Sequence, residues 1–245
     1  MAQERYPDEE NDLEKPLPLW LLILMPFYIG GLLGIALFPI ARDWSWLEAW
    51  ILVLTFSINL SIGFVIINWK NPRVLRNRMK VKKDGLTSLT RKSAGSDRWV
   101  MPVMSIGFIG ALILPAFAHR LDWPALPFGV EMSGLVLSNL GAFLMQAAML
   151  QNAYASKILD INQGQTLIDT GLYSHVRHPL YAGAILMIIA LPVALGTPLA
   201  LIPAALAVLT LIVRIQFEED MLVKGMDGYE GYKKRVRYKI IPRVY

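Results

Sequence analysis

The chain has no cysteine and only three histidines among its 245 residues. Without cysteine there is no disulfide framework, no thiolate zinc site and no cysteine nucleophile. Charge is scarce as well. Asp, Glu, Lys and Arg make up 18 % of the chain and hydrophobic residues 55 %, where soluble globular chains run at about 25 % charged and about 45–50 % apolar. No P-loop, no Gly-x-Gly-x-x-Gly and no serine nucleophile elbow is found, which excludes soluble-type nucleotide folds and hydrolases built on such an elbow. The acidic start, with Glu4, Asp8, Glu9, Glu10, Asp12 and Glu14, lacks the basic residues, short apolar core and small-residue cleavage site of a signal peptide. No repeat of fixed period and no low-complexity tract is present.

What the chain does have is long apolar runs. Pro18 to Ile40 carries no charge, Trp46 to Trp69 carries only Glu48, and Trp99 to Ala118 and Met132 to Gln151 are uncharged. Each approaches the roughly 20 residues that cross a hydrocarbon core of about 30 Å. Inside lipid every backbone amide needs an internal partner, so such runs form helices. Trp20, Trp44, Trp46, Trp69, Trp99 and Trp123 stand at the run ends, where interfacial anchors belong. A fifth apolar block, Pro179 to Val213, is too long for one span. Gly196-Thr197-Pro198 divides it into two arms of about 17 residues, the short end of the spanning range. The expected fold is therefore all-α, a polytopic transmembrane helical protein of about six spans, the last two a short hairpin. A single bent span with a re-entrant arm is the competing reading of that block.

The formal net charge of +5 is a topological marker. Lysines and arginines crowd the segment 69–98 and follow the last span from Lys224 to Arg243, whereas the intervening loops offer only Arg42 and Arg120. The positive-inside rule then puts both termini and both basic segments on the cytoplasmic side, and nucleic acid is not needed to explain them. Three regions follow: an acidic tail (1–17), four spans with their basic loop (18–150), and a more polar C-terminal region (151–245).

That last region departs from the pattern of a plain membrane anchor. Thr166-Leu-Ile-Asp-Thr-Gly-Leu-Tyr-Ser-His-Val-Arg-His-Pro-Leu-Tyr-Ala-Gly183 packs turn formers, two histidines, an arginine and two tyrosines against the start of a span. Pro179 suits the first turn of a helix, whose free amides favour a carboxylate or phosphate. A second cluster, Arg214-Ile-Gln-Phe-Glu-Glu-Asp220, ends the last span. Arg214 and Glu218 lie four apart and share a helix face. Three consecutive acids could form a patch that holds a cation. Plain roles exist for all of these: headgroup contacts for Arg and His, interfacial anchoring for Tyr, helix-end solvation for the acids. The tail from Gly228 to Pro242 mixes aromatics with bases, as does an amphipathic segment on an anionic membrane surface or a lid over a pocket. No metal site is visible: His175 and His178 alone are a weak signal, and His119 falls at the opposite face.

At these residues the chain resembles a known family. Gly171-x-Tyr173-x-x-x-Arg177-His178-Pro179-x-Tyr181-x-Gly183, then Arg214-x-x-x-Glu218-Glu219 and Tyr229-x-x-Tyr232-Lys233, are similar to the isoprenylcysteine carboxyl methyltransferase and phospholipid methyltransferase superfamily. The resemblance covers the chain from about Asn152 to the end; the first four spans match only in being spans. It implies an integral membrane enzyme that transfers a methyl group from S-adenosylmethionine, leaving S-adenosylhomocysteine, to a lipophilic or small acceptor, with a prenylcysteine carboxylate first among the candidates. It implies a cofactor pocket of Gln165, Thr166, Leu167, Ile168, Tyr173, His178, Pro179, Leu180, Tyr181, Glu218 and Glu219, with Arg214 facing the substrate. Gln165 stands where some members have histidine. Arg214 and Glu218 are the residues expected to carry the reaction, without a metal. Two other classes compete. A sterol-reductase-like oxidoreductase shares the short Arg-His-Pro-x-Tyr motif and would bind NADPH, and a membrane scaffold would bind neither cofactor. The acidic pair suits a cationic cofactor better than a polyanionic one.

Overall fold

The computed structural model describes residues 15–79, 97–152 and 166–244. The acidic stretch 1–14, most of the basic loop (80–96) and Gln165 lie outside the described residues. The long apolar runs become helices α1 (Leu19–Ala41), α2 (Leu47–Lys70), α4 (Asp97–Arg120) and α5 (Phe128–Gln151), with a short α3 (Pro72–Met79) opening the basic loop. The last apolar block forms α6 (Pro179–Ala194) and α7 (Leu201–Gly225), and α8 (Tyr229–Arg235) follows. Among the described residues, five helical segments are long and apolar enough to cross a membrane, and α6 is a shorter apolar helix.

The hairpin reading of the last block holds, but its arms are unequal. α6 has 16 residues and α7 has 25. The turn between them is built on Gly196, whose φ of +72° lies in the left-handed region that a side chain disfavours. Thr197 N–H donates to the Pro192 carbonyl at 2.9 Å, and Leu126 N–H donates to the Gly196 carbonyl at 3.1 Å. α7 continues past Val213, where the apolar run stops, through the acidic cluster to Gly225.

The helices alternate direction, so the loops collect at two ends. At one end His119 Nε2 lies 2.8 Å from Asp43 Oδ2, and the Trp46 ring stacks on His119 with centroids 4.3 Å apart. Trp46 is therefore buried packing and not a lipid-facing anchor, whereas Trp20, Trp69 and Trp99 are exposed. Large apolar side chains also cover the outside of α1, as a lipid-facing surface requires. At the other end, residues just before α1 dock onto the bundle. Leu17 N–H donates to Asn68 Oδ1 at 2.7 Å, Asn68 Nδ2 donates back to the Leu17 carbonyl at 3.3 Å, and Leu17 is buried beside Ile67, Val74 and Met149.

Two devices hold the interior together. Between α2 and α5 a polar ladder runs through otherwise apolar packing. Asn59 Nδ2 donates to Asn139 Oδ1 at 3.0 Å, Asn139 Nδ2 donates to Thr55 Oγ1 at 3.2 Å, and Gln146 Nε2 donates to Asn59 Oδ1 at 3.1 Å. Such side chains join helices in lipid, where they have few other partners. Between α5 and α6 the contact is backbone on backbone. A methyl group at Gly141 would stand 2.6 Å from the Gly183 carbonyl oxygen, and one at Gly183 would stand 2.6 Å from the Gly141 carbonyl oxygen. These two glycines are what let the helices approach closely, and α6 carries the Arg-His-Pro-x-Tyr motif at its start. Gly141→Leu is expected to destabilise the fold by about 2 kcal/mol or more, because the crossing cannot widen without moving α6. Thermal unfolding in detergent checks this, and an unchanged midpoint would contradict it.

Candidate active site

The segment leading into α6 is shaped by a left-handed glycine and then by borrowed hydrogen bonds. Gly171, at φ +60°, opens a 3-10 turn over Gly171–Ser174. Leu172 N–H donates to Gln151 Oε1 at 2.8 Å, which ties the turn to the end of α5. Arg177 and His178 then donate their backbone N–H groups to the carbonyls of Tyr238 and Lys239, at 3.0 and 2.8 Å. Pro179, which has no N–H to lose, takes the first position of α6. The C-terminal tail thus completes the backbone pairing of the motif. It packs on the protein, with Tyr229, Tyr232, Val236 and Ile240 buried.

The three consecutive acids of α7 do not form one patch. Successive helix positions are rotated by about 100°, since a turn holds 3.6 residues, and each acid meets a different environment. Glu219 is 2 % exposed. Its Oε1 accepts from Arg177 Nε at 2.6 Å and lies 3.3 Å from His178 Nε2. Its Oε2 lies 3.3 Å from Lys239 Nζ and 3.7 Å from Lys233 Nζ. Arg177 spends its remaining reach on the carbonyls of Val236 and Arg237, at 2.7 and 2.8 Å. Asp220 is exposed.

Glu218, half-buried, accepts from the Tyr181 hydroxyl at 2.5 Å, and Arg214 Nη1 donates to that same hydroxyl at 2.5 Å. The face shared by Arg214 and Glu218 is real, and a phenol from α6 stands between them. Arg214 also lies over the Tyr181 ring, its guanidinium carbon 5.9 Å from the centroid, and the His178 and Tyr181 rings are stacked 5.6 Å apart. Arg214 and Tyr181 are both buried, so guanidinium, phenol and carboxylate form a fixed row at the polar end of the bundle.

Several of the other residues implied by the resemblance contact the tail or the end of α5 instead of this row. Tyr173 is buried; its hydroxyl accepts from Asn152 Nδ2 at 3.4 Å and its carbonyl accepts from the Tyr232 hydroxyl at 2.7 Å. Leu167 packs against Tyr229, Tyr232 and Val236, Ile168 is half-buried and Thr166 is exposed. Leu180 joins the cluster around Leu17 to the one around Tyr181. The neighbouring Asp169 pairs with Arg235 of α8. Burial pushes the phenols of Tyr229 and Tyr232 above the ordinary tyrosine range. His175 is exposed, and no group of three metal-ligating side chains occurs among the described residues.

Sequence reasoning missed the tie between Arg177 and Glu219 and the part played by Lys233 and Lys239. One signal was present: an acid at the end of an apolar helix needs a cationic partner, and Arg177 belongs to the same motif. Arg177→Met is expected to destabilise the protein by about 3–5 kcal/mol by leaving Glu219 poorly matched in a buried setting. Glu218→Gln, in a half-exposed position, should change stability by less than about 1 kcal/mol. Denaturation of the two variants side by side checks this, and equal losses would contradict it.

Comparison with known proteins bears on the same stretch of chain. A family model described as the isoprenylcysteine carboxyl methyltransferase family matches residues 134–224. The match begins within α5, earlier than the sequence motif suggested, and includes the glycines of the α5–α6 crossing, the start of α6 and the acids of α7. Among solved structures, the eukaryotic intramembrane Ras methyltransferase ICMT is similar over 93 % of this chain and 88 % of that one, at 16 % identity and a TM-score of 0.43. No curated protein sequence matches. Residues 134–224 are thus similar to the isoprenylcysteine carboxyl methyltransferase family, in a chain whose described residues include five helices long and apolar enough to cross a membrane.

Proposed function

We propose that the protein transfers a methyl group from S-adenosylmethionine to a carboxylate on a lipophilic acceptor, a prenylcysteine carboxylate being the leading candidate. In this reading the site opens on the cytoplasmic side, where the basic segments point by the positive-inside rule and where a soluble cofactor is available. The observation that carries the proposal is the row Arg214–Tyr181–Glu218, which sets a buried cation and a half-buried anion on either side of one hydroxyl.

The donor set fits an adenosyl cofactor. That molecule carries an ammonium, ribose hydroxyls and a carboxylate, and the chain offers a carboxylate at Glu218, an imidazole at His178, and the N-terminal end of α6. Bound there, S-adenosylmethionine would supply a methyl group made electrophilic by its sulfonium. The remaining work falls to the protein. Glu218 can accept from a hydroxyl or ammonium through the oxygen that Tyr181 does not engage. Arg214 can hold an acceptor carboxylate and orient one oxygen for in-line attack. A carboxylate is already ionised at neutral pH, so no general base is required, and alignment with exclusion of water supplies most of the acceleration. The Tyr181 hydroxyl keeps Arg214 and Glu218 in fixed relation. Supporting the dry environment, Arg214, Tyr181, His178 and Pro179 are all buried.

Calorimetric titration of the purified protein with S-adenosylhomocysteine tests the reading. Binding is expected, with Glu218→Ala weakening it by about tenfold or more. Arg214→Ala should lower turnover by about a hundredfold and leave cofactor affinity within about threefold. No binding by the unmodified protein, or equal loss of affinity and turnover on changing Arg214, would overturn it.

A further inference from the structure

Two tyrosines of α8 sit side by side, with rings 5.7 Å apart at 60°. Both are buried, Tyr229 at 3 % and Tyr232 at 2 % exposure. Their hydroxyls fare differently. That of Tyr232 donates to the Tyr173 carbonyl at 2.7 Å. That of Tyr229 is shut off from solvent and has no hydrogen-bond partner among the described residues.

An unpaired hydroxyl in such a place is unfavourable. It gives up its water on folding and finds no partner among the described residues, whose packing a phenylalanine would serve as well or better. The ring itself needs no hydroxyl, for the cluster it forms with Tyr232 and Val236 is packed by Leu167, Leu222, Val223 and Met226. The same short helix carries Lys233, whose Nζ lies 3.7 Å from Glu219 Oε2, and Tyr232, bound to the Tyr173 carbonyl, so α8 lies beside the polar cluster. Gly228, at φ +81°, directs the chain into α8 immediately before it, 3.8 Å from Leu167 at the position a side chain would take. Leu167 in turn is among the residues that the resemblance implies for the cofactor pocket.

We infer that Tyr229 is a cofactor-binding residue, its hydroxyl exchanging a hydrogen bond with a hydroxyl or amine of the adenosyl cofactor while its ring forms part of the apolar wall. This rests on the reading of the site as an adenosyl-cofactor pocket. Tyr232, whose hydroxyl is already engaged, is the structural member of the pair.

The two phenols make opposite predictions, which thermal unfolding with and without S-adenosylhomocysteine can read. In the ligand-free protein Tyr229→Phe should leave the melting temperature unchanged or raise it, whereas Tyr232→Phe should lower it. With ligand, Tyr229→Phe should show a smaller stabilisation than the unmodified protein, and titration should show affinity weakened by about threefold to tenfold. Tyr232→Phe should keep an affinity close to that of the unmodified protein. If the unmodified protein binds and Tyr229→Phe binds equally well, the hydroxyl serves only a trapped water and the inference is overturned. A lower melting temperature for ligand-free Tyr229→Phe would overturn it too, by showing an internal partner. If the unmodified protein itself fails to bind, the cofactor reading fails first and takes this inference with it.

Discussion

A carboxylate buried at the end of an apolar helix must be matched by cations held just as firmly, and Glu219 sets that requirement here. Arg177 meets it from the loop before α6, and Lys233 and Lys239 meet it from the tail. Three separate parts of the chain are thereby drawn to one point. Arg177, once committed to Glu219, turns its other nitrogen to the tail carbonyls, and the backbone of the tail pairs with the residues that begin α6. The row of Arg214, Tyr181 and Glu218 stands beside this tie. The two adjacent glutamates have separate surroundings: Glu219 is buried among cations, and Glu218 accepts from the Tyr181 hydroxyl. A buried ion pair is costly to assemble and more costly to break, which suits a part whose role is to specify a single arrangement.

The lipid environment explains why so much of the fold was legible. Apolar runs of spanning length leave the backbone no choice but helix, and Gly196-Thr197-Pro198 marked the turn between α6 and α7. The end of α7 was not legible in the same way. Hydropathy stops at Val213, but Arg214, Glu218 and Glu219 find partners on α6 and the tail, so the helix continues with polar residues that a periodicity argument would assign to solvent. Trp46 shows the same limit at the other end of the bundle. Its place at a run boundary resembles an anchor, and only the three-dimensional neighbourhood of His119 reveals it as packing.

The site was legible as a motif more than as a geometry. Arg177-His178-Pro179-x-Tyr181 and Glu218-Glu219 stand out by type and spacing, yet spacing does not say which acid meets which cation across some forty residues. In sequence, the tail's mixture of bases and aromatics fits a membrane-surface segment or a lid over a pocket. Its burial follows from contacts that lie about sixty residues away in sequence, where no local pattern reaches. Tyr229 was visible only as part of that tail. Its distinguishing property, a hydroxyl without a partner among the described residues, exists only once the chain is folded.

The central claim is that this arrangement moves a methyl group from a sulfonium to a carboxylate. Membranes containing the protein can be incubated with methyl-labelled S-adenosylmethionine, and the labelled product treated with mild alkali. The account predicts label in a lipophilic product that is released by alkali as methanol, as a methyl ester requires, and that is not formed with Arg214→Ala. Label that resists alkali, as on an amine, or no label above that of membranes lacking the protein, would contradict it.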